Sequence, residues 1–231
     1  MTKSKILLVE DDVNFGAVMR DYLAMNGYDV VLCPDGNKGW SRFSNENFDL
    51  CILDVMMPDR DGFSLASDIR KVNPAIPLIF LTAKSLKEDV LKGYTIGADD
   101  YVTKPFDPEI LMYKLKALLK RTNGHSVNDS EQDEFAIGRF LFNHRLRELR
   151  IHESVQKLSP RESELLRLLC MHMNDVLPRE VALKKIWNED NYFTARSMDV
   201  FLTRIRKILK ADPDIEILNV HGNGFRLMVR K

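Results

Sequence analysis

The chain has 231 residues, of which 45% are hydrophobic and 29% are charged, a composition that excludes wholesale disorder and allows two domains of about 100 residues each. The formal net charge is zero, but residues 1–123 hold 16 basic and 18 acidic side chains, whereas residues 135–231 hold 18 basic and 12 acidic ones. This asymmetry favours an anionic partner for the second half.

Cysteine use and hydropathy indicate a cytoplasmic protein. The three cysteines, Cys33, Cys51 and Cys170, are scattered and lack the paired spacing of a metal or disulfide site. No apolar stretch approaches the roughly 20 residues of a membrane span. The four apolar residues Ile6–Val9 are too few for the core of a signal peptide.

The first half alternates apolar runs of strand length with segments of helical periodicity. Strands are predicted over Ile6–Val9, Tyr28–Leu32, Phe48–Leu53, Leu78–Leu81 and Tyr101–Thr103. Helices are predicted over Phe15–Met25, Asp35–Phe43, Phe63–Val72, Leu86–Ile96 and Pro108–Leu119. This alternation predicts a five-stranded parallel sheet with helices on both faces, hence an α/β domain.

Polar side chains follow four of the predicted strands. Glu10–Asp12 come after the first, Asp54 after the third, Thr82 after the fourth and Lys104 after the fifth. Because the carboxyl ends of parallel strands share one edge, these groups should lie close together. Carboxylates there suit Mg²⁺, Asp54 can act as a nucleophile toward phosphorus, and Lys104 can neutralise phosphoryl charge. Thr82 can donate a hydrogen bond to a phosphate oxygen.

Residues 5–121 resemble the receiver domain of two-component response regulators. The matching runs are Val9–Asp12, Leu53–Pro58, Asp61–Gly62, Leu81–Ala83, Gly97–Tyr101 and Lys104–Phe106. The resemblance implies a flavodoxin-like fold with strand order 2-1-3-4-5. It also implies that Asp54 accepts a phosphoryl group from a histidine kinase.

The same resemblance implies a Mg²⁺ site. Asp11, Asp54 and the Met56 carbonyl would bind the ion directly, and Glu10 would act through water. Lys104–Pro105 would be a cis peptide. A second acid two residues after the nucleophile would favour a hydrolase, but Met56 stands there. We therefore expect a protein that is not an enzyme.

The resemblance further implies a switch and a dimer. Phosphorylation would draw Thr82 inward, and Tyr101 would rotate from an exposed to a buried position. The dimer would form through the fourth helix, fifth strand and fifth helix. The residues assigned to this interface are Val90, Lys92, Asp99, Asp100, Ile110, Lys114, Lys116 and Arg121.

One departure leaves an alternative open. Val90 and Ile110 occupy positions where relatives carry an oppositely charged pair. An apolar contact there favours a regulator that dimerises and binds DNA largely independently of phosphorylation.

A polar segment separates the halves. Residues 123–134 are nearly free of apolar side chains and predict a flexible linker between a receiver domain at 1–122 and a second domain at 135–231.

The second half predicts a winged helix-turn-helix. Alternating residues from Phe135 to Val155 predict an antiparallel sheet, and Ser159 begins a helix as its N-cap. A second helix is predicted at about Arg179–Trp187, and a third begins at Thr194. A hairpin formed by residues 216–220 and 225–229 supplies the wing.

This half resembles the effector domain of OmpR/PhoB-type regulators. The matching runs are Leu158–Glu162, Arg196–Val200, Arg204–Lys207 and Gly222–Phe225. By position Arg196 would contact a base, while Ser197, Arg204 and Lys207 would hold phosphates. The full set assigned to double-stranded DNA is Arg196, Ser197, Val200, Thr203, Arg204, Lys207 and His221.

Two further features follow from that resemblance. His221 stands where a minor-groove arginine often occurs, so it would add positive charge only below about pH 6.5. The loop Trp187–Phe193 would contact RNA polymerase if the protein is an activator.

Overall fold

The computed structural model describes residues 3–122, 133–187 and 192–230, without the side chains of residues 120–122 and 192–193. The chain separates into two compact units, residues 1–123 and 124–231. No helix within the described ranges is long and apolar enough to cross a membrane.

The first unit is a parallel sheet covered by helices. Its strands are β1 (Lys5–Val9), β2 (Asp29–Cys33), β3 (Leu50–Leu53), β4 (Leu78–Thr82) and β5 (Asp100–Thr103). Its helices are α1 (Val13–Met25), α2 (Gly36–Asn45), α3 (Gly62–Val72), α4 (Lys87–Ile96) and α5 (Pro108–Thr122). The strand order is β2-β1-β3-β4-β5 and every pair is parallel, which confirms the predicted fold.

Burial explains why the central strands are continuous apolar runs. Every residue of β3 and β4 is buried, because helices cover both faces of the sheet. Acidic side chains begin the helices: Asp12, Asp35 and Asp61 are the N-caps of α1, α2 and α3 and accept main-chain hydrogen bonds. The first turns of these three helices at the carboxyl edge are therefore held by side-chain caps.

The Arg70 side chain joins three elements of the first unit. From α3 its guanidinium donates to the carbonyl oxygens of Ile76, ahead of β4, and Gly97, which ends α4. It also lies 3.2 Å from the Asp99 carboxylate, which accepts the Leu78 N–H at 2.9 Å. This ion pair is buried, so it acts inside the domain rather than at its surface.

Over its described ranges, the second unit contains two small sheets and three helices. Its strands are β6 (Glu134–Ile137), β7 (Phe140–Asn143), β8 (Glu148–Ile151), β9 (Ser154–Lys157), β10 (Leu177–Pro178), β11 (Ile215–Val220) and β12 (Gly224–Val229). Its helices are α6 (Pro160–Met171), α7 (Arg179–Trp187) and α8 (Tyr192–Leu209). The predicted order of sheet, three helices and hairpin is confirmed.

Two predicted boundaries of this unit are wrong by one or two residues. Glu134 lies in β6, paired with Asn143, so regular structure begins inside the segment predicted as linker. The third helix begins at Tyr192 rather than Thr194. Ser159 forms the predicted capping box with Glu162 at the start of α6.

Candidate functional site

Three carboxylates meet at the carboxyl edge of the parallel sheet. Glu10 follows β1 and Asp54 follows β3. One carboxylate oxygen of each, together with one of Asp11, all lie within 4.8 Å of one another. Glu10 and Asp54 are buried, whereas Asp11 is exposed. The neighbouring Asp12 accepts two main-chain N–H groups of α1, so its carboxylate caps that helix instead.

Lys104 is the cation of this cluster. Its Nζ lies 2.9 and 2.7 Å from the two carboxylate oxygens of Glu10 and 2.7 Å from Asp54 Oδ2. The ammonium also lies 4.2 Å from the centre of the Phe15 ring. The Lys104–Pro105 peptide is cis, as the resemblance predicted.

The pKa values of Glu10 and Lys104 are both raised, for different physical reasons. Burial raises the pKa of Glu10 to about 7, although the hydrogen bond and charge of Lys104 act in the opposite direction. Burial alone would lower the pKa of Lys104, but its hydrogen bonds to Asp54 and Glu10 outweigh that effect and raise it.

The residues of the pocket fit a hard divalent cation. The cluster brings three carboxylates against the single ammonium of Lys104, so a further positive charge is accommodated there. Oxygen ligands of this kind suit Mg²⁺, which keeps water in its remaining positions. The Met56 N–H donates to Asp54 Oδ1 at 2.9 Å, so the predicted carbonyl ligand belongs to a residue that already contacts this carboxylate.

A glycine allows α3 to begin directly against Asp54. A Cβ atom on Gly62 would lie 2.0 Å from the Asp54 carbonyl oxygen, and the Gly62 N–H donates to Val55 O at 3.1 Å. Gly36 is the first residue of α2, and a Cβ atom on it would lie 2.3 Å from the carbonyl oxygen of Arg60, in the loop between β3 and α3. Both close approaches fix the loop that follows the candidate phosphoacceptor.

Thr82 and Tyr101 both bond to the main chain of Lys84. The Lys84 N–H donates to Thr82 Oγ1 at 3.3 Å, and the Tyr101 hydroxyl donates to Lys84 O at 3.0 Å. Tyr101 occupies its buried position, and a Cβ atom on Gly93 of α4 would lie 2.8 Å from its ring. Sequence reasoning missed Lys84 and Gly93, although a glycine inside a predicted helix is a signal of close packing.

Several residues assigned to the dimer interface belong to the interior of the domain. Val90 is only 8% exposed and Asp99 is fully buried beside Arg70, so the assignment of both to the interface is wrong. Asp100 is also buried, and both of its carboxylate oxygens lie 3.0 Å from Lys114 Nζ of the same domain.

The remaining interface candidates are at the surface. Lys92, Lys116 and Ile110 are exposed, and Ile110 retains 52% of its accessible surface. The side chain of Arg121 lies outside the described residues.

The DNA face predicted on α8 is only partly exposed. Arg196, Thr203 and Lys207 are exposed, and Val200 and Arg204 are partly so. Ser197 is completely buried, so its assignment as a phosphate contact is wrong. His221 is exposed in the turn between β11 and β12. In the predicted polymerase loop, residues 188–191 lie outside the described residues.

Comparisons with known proteins agree with this geometry. Residues 6–116 match the response regulator receiver domain, and residues 153–227 match the C-terminal domain of transcriptional regulatory proteins. The transcriptional regulatory protein RprY of Bacteroides fragilis is 51% identical over 98% of this chain and 95% of its own length. The alkaline phosphatase synthesis transcriptional regulatory protein PhoP of Bacillus subtilis is 33% identical over 96% of both chains.

A solved structure covers both units. The response regulator DrrB of Thermotoga maritima, described as an OmpR/PhoB homologue, is 30% identical with a TM-score of 0.51. It covers 98% of this chain and 100% of its own. Three observations agree: the acidic pocket holds a lysine, the second unit is a winged helix, and the relatives match nearly the whole chain. The chain belongs to the two-component response regulators of the OmpR/PhoB family.

Proposed function

We propose that this response regulator is a transcriptional switch controlled by phosphorylation of Asp54. A histidine kinase would supply the phosphoryl group, and the phosphorylated protein would dimerise through α4, β5 and α5 and bind DNA through α8 and the β11–β12 hairpin. The observation that carries the proposal is the buried Asp54 carboxylate, 2.7 Å from Lys104 Nζ and clustered with Glu10 and Asp11.

Each residue of the pocket would have a different role in the phosphoryl transfer. A carboxylate oxygen of Asp54 forms the bond to phosphorus as the bond to the kinase imidazole nitrogen breaks. Lys104 remains beside the incoming phosphoryl oxygens and stabilises their charge. Bound Mg²⁺, held by Asp11, Asp54 and the Met56 carbonyl with Glu10 near it, would add charge neutralisation. The acceptor of the phosphoryl group would be Asp54 of the chain itself, as expected of a regulator.

The main chain of Lys84 offers a route from the pocket to α4. If the Thr82 hydroxyl moves to donate to a phosphoryl oxygen, Oγ1 would shift relative to the Lys84 N–H that it now accepts, and the main chain of Lys84 would follow or lose that contact. Because Tyr101 bonds to the carbonyl of the same residue, a shift of Lys84 would change how Tyr101 packs on Gly93. The proposed dimer interface contains α4, so the local event would bias dimer formation.

Incubation of the chain with acetyl phosphate and Mg²⁺ is expected to add one phosphoryl group, measured as the increase in intact mass. Asp54→Asn should abolish the addition because it removes the nucleophilic carboxylate. Asp59→Asn is the matched control: Asp59 lies in the same loop with a φ of 61°, which asparagine tolerates. Labelling that survives in Asp54→Asn would refute the assignment.

Mg²⁺ binding is expected to strengthen as the pH rises to about 7, the pKa of Glu10, and then to level off. Below that pH the folded protein holds a proton on Glu10, and the cation must displace it. Calorimetric titration at about pH 6 and about pH 8, in buffers of different ionisation enthalpy, measures the released proton. Glu10→Gln should abolish the difference, and equal proton release at both pH values would contradict the prediction.

The alternative of phosphorylation-independent dimerisation loses part of its support. Its apolar pair required Val90 at the surface, but that side chain is packed inside the domain. Ile110 and the exposed Tyr113 remain on α5, so a weak apolar contact between copies is still compatible with the surface. Contact with RNA polymerase through the loop Trp187–Phe193 stays a prediction.

A further inference from the structure

An arginine outside the predicted DNA-binding set connects the recognition helix to the wing. Arg179 is the first residue of α7, and its Nη2 donates to Ala195 O at 2.9 Å and lies 3.2 Å from Asp199 Oδ1, both on α8. Asp199 lies one helical turn after Arg196. The guanidinium therefore contacts the part of α8 that is predicted to read bases.

The same residue also contacts the wing. Its guanidinium lies 5.5 Å from the centre of the Phe225 ring in β12, and its main-chain N–H donates to Asn223 O at 3.1 Å. A Cβ atom on Gly224 would lie 2.0 Å from Leu177 O, so the hairpin packs directly on the strand before α7. Asn223 is in the turn that carries His221, so Arg179 reaches both predicted DNA-contacting elements.

The Arg179–Asp199 pair contributes little to folding but places a negative charge near the predicted DNA face. Their side chains are 37% and 42% exposed, and ion pairs of this exposure contribute little to the stability of a fold. A carboxylate near phosphates weakens DNA binding by charge repulsion alone. The presence of Asp199 on α8 is explained if its main effect is to hold the Arg179 side chain in position.

We propose that Arg179, paired with Asp199, is a positioning residue that sets the orientation of the wing relative to α8 and so determines DNA sequence specificity. This inference rests on the proposed DNA-binding function. Arg179 acts through Arg196 and the wing turn, which contact the DNA. Nη2 donates to both Ala195 O and Asp199 while the guanidinium lies over the Phe225 ring, and the compact ammonium of a lysine on its flexible stem would not hold all three contacts at once.

The test uses the full chain after treatment with acetyl phosphate and Mg²⁺. The probe is the duplex most enriched by selection from random-sequence DNA, and its reference is a shuffled duplex of equal length and composition. The measured quantities are the ratio of the two affinities and the slope of log affinity against log salt. Arg179→Lys is expected to lower the ratio about 10-fold while leaving the salt slope unchanged.

Two further variants test the pairing. Asp199→Asn should lower the ratio by a similar factor, and the double variant should be no worse than either single change because both break one contact. Arg150→Lys is the matched control, since Arg150 forms an ion pair with Glu148 in β8, outside the predicted DNA-binding elements. Its ratio should stay at the parent value. Thermal unfolding of each variant checks that all of them are folded.

The outcomes separate this proposal from its alternatives. If Arg179 contacts a phosphate, Arg179→Lys will keep the ratio and Arg179→Met will lower the salt slope by about 1, which overturns the positioning role. The positioning role would also be overturned if the double variant lowered the affinity ratio by the product of the two single-variant factors. If Arg196→Ala lowers the affinity ratio and Arg179→Lys does not, only the positioning role of Arg179 is refuted. If Arg196→Ala leaves the ratio unchanged, the predicted DNA face of α8 is refuted, and with it both proposals.

Discussion

An Asp99→Ala variant is expected to lose about 3–5 kcal/mol of unfolding free energy in the receiver domain. The substitution removes the Asp99 carboxylate from the buried Arg70 guanidinium and removes the acceptor of the Leu78 N–H. Each of the two units contains one tryptophan, so a Trp187→Phe background lets Trp40 report the receiver alone during urea unfolding. The loss should appear as a lower midpoint with the same slope.

Two controls define the origin of that loss. Asp99→Asn keeps an acceptor for Leu78 but loses the charge, so an intermediate loss is expected. Asp21→Ala breaks an exposed ion pair with Arg20 and should change stability by less than about 1 kcal/mol. An Asp99→Ala protein as stable as the parent but unable to dimerise would restore the original interface assignment.

A Gly62→Ala variant is expected to be phosphorylated by acetyl phosphate about 100-fold more slowly than the parent. Its Cβ atom would lie 2.0 Å from the Asp54 carbonyl oxygen. The contact is with main chain rather than a flexible side chain, so relief requires α3 or the strand end to move. Displacement of about 1 Å at the nucleophile is enough for such a loss.

The comparison for Gly62→Ala is a change in the same helix that adds no bulk. Ser64→Ala should keep a rate close to that of the parent, because Ser64 is exposed in α3. Rates are measured by the increase in intact mass with time at saturating Mg²⁺. A Gly62→Ala rate within a factor of about two of the parent would show that the close approach has no functional role.

The sequence was sufficient to predict the sheet and the pocket because both follow from local pattern. Buried strands are continuous apolar runs, and polar residues at their carboxyl ends must share one edge. Glu10, Asp54 and Lys104 were therefore assigned together, and the structure brings their charged atoms into contact.

The errors concern contacts that join distant parts of the chain. Nothing local indicates that Arg70 in α3 reaches Asp99, so this aspartate, which precedes β5, was assigned to the dimer interface. Ser197 was assigned by resemblance, which does not show which side of the helix is buried in this chain. Phe201, four residues later, and Ser197 are both fully buried, so both lie on the buried face of α8.

The partners of the closely packed glycines and the arginine contacts were also beyond sequence reasoning. Gly62, Gly93 and Arg179 act through the shape of neighbouring elements, and a single sequence does not show which elements touch. Their residue types are compatible with ordinary turns and surfaces. Only their distances in the folded chain distinguish them.

The most direct test of the switch compares DNA affinity and mass in solution before and after phosphorylation of Asp54. We expect the phosphorylated chain to sediment as a dimer and to bind the selected duplex about 5- to 150-fold more tightly, the usual range of coupling between two sites. Asp54→Asn treated in the same way should remain monomeric and bind weakly. Equal affinity and equal mass before and after phosphorylation would contradict the switch and support constitutive dimerisation.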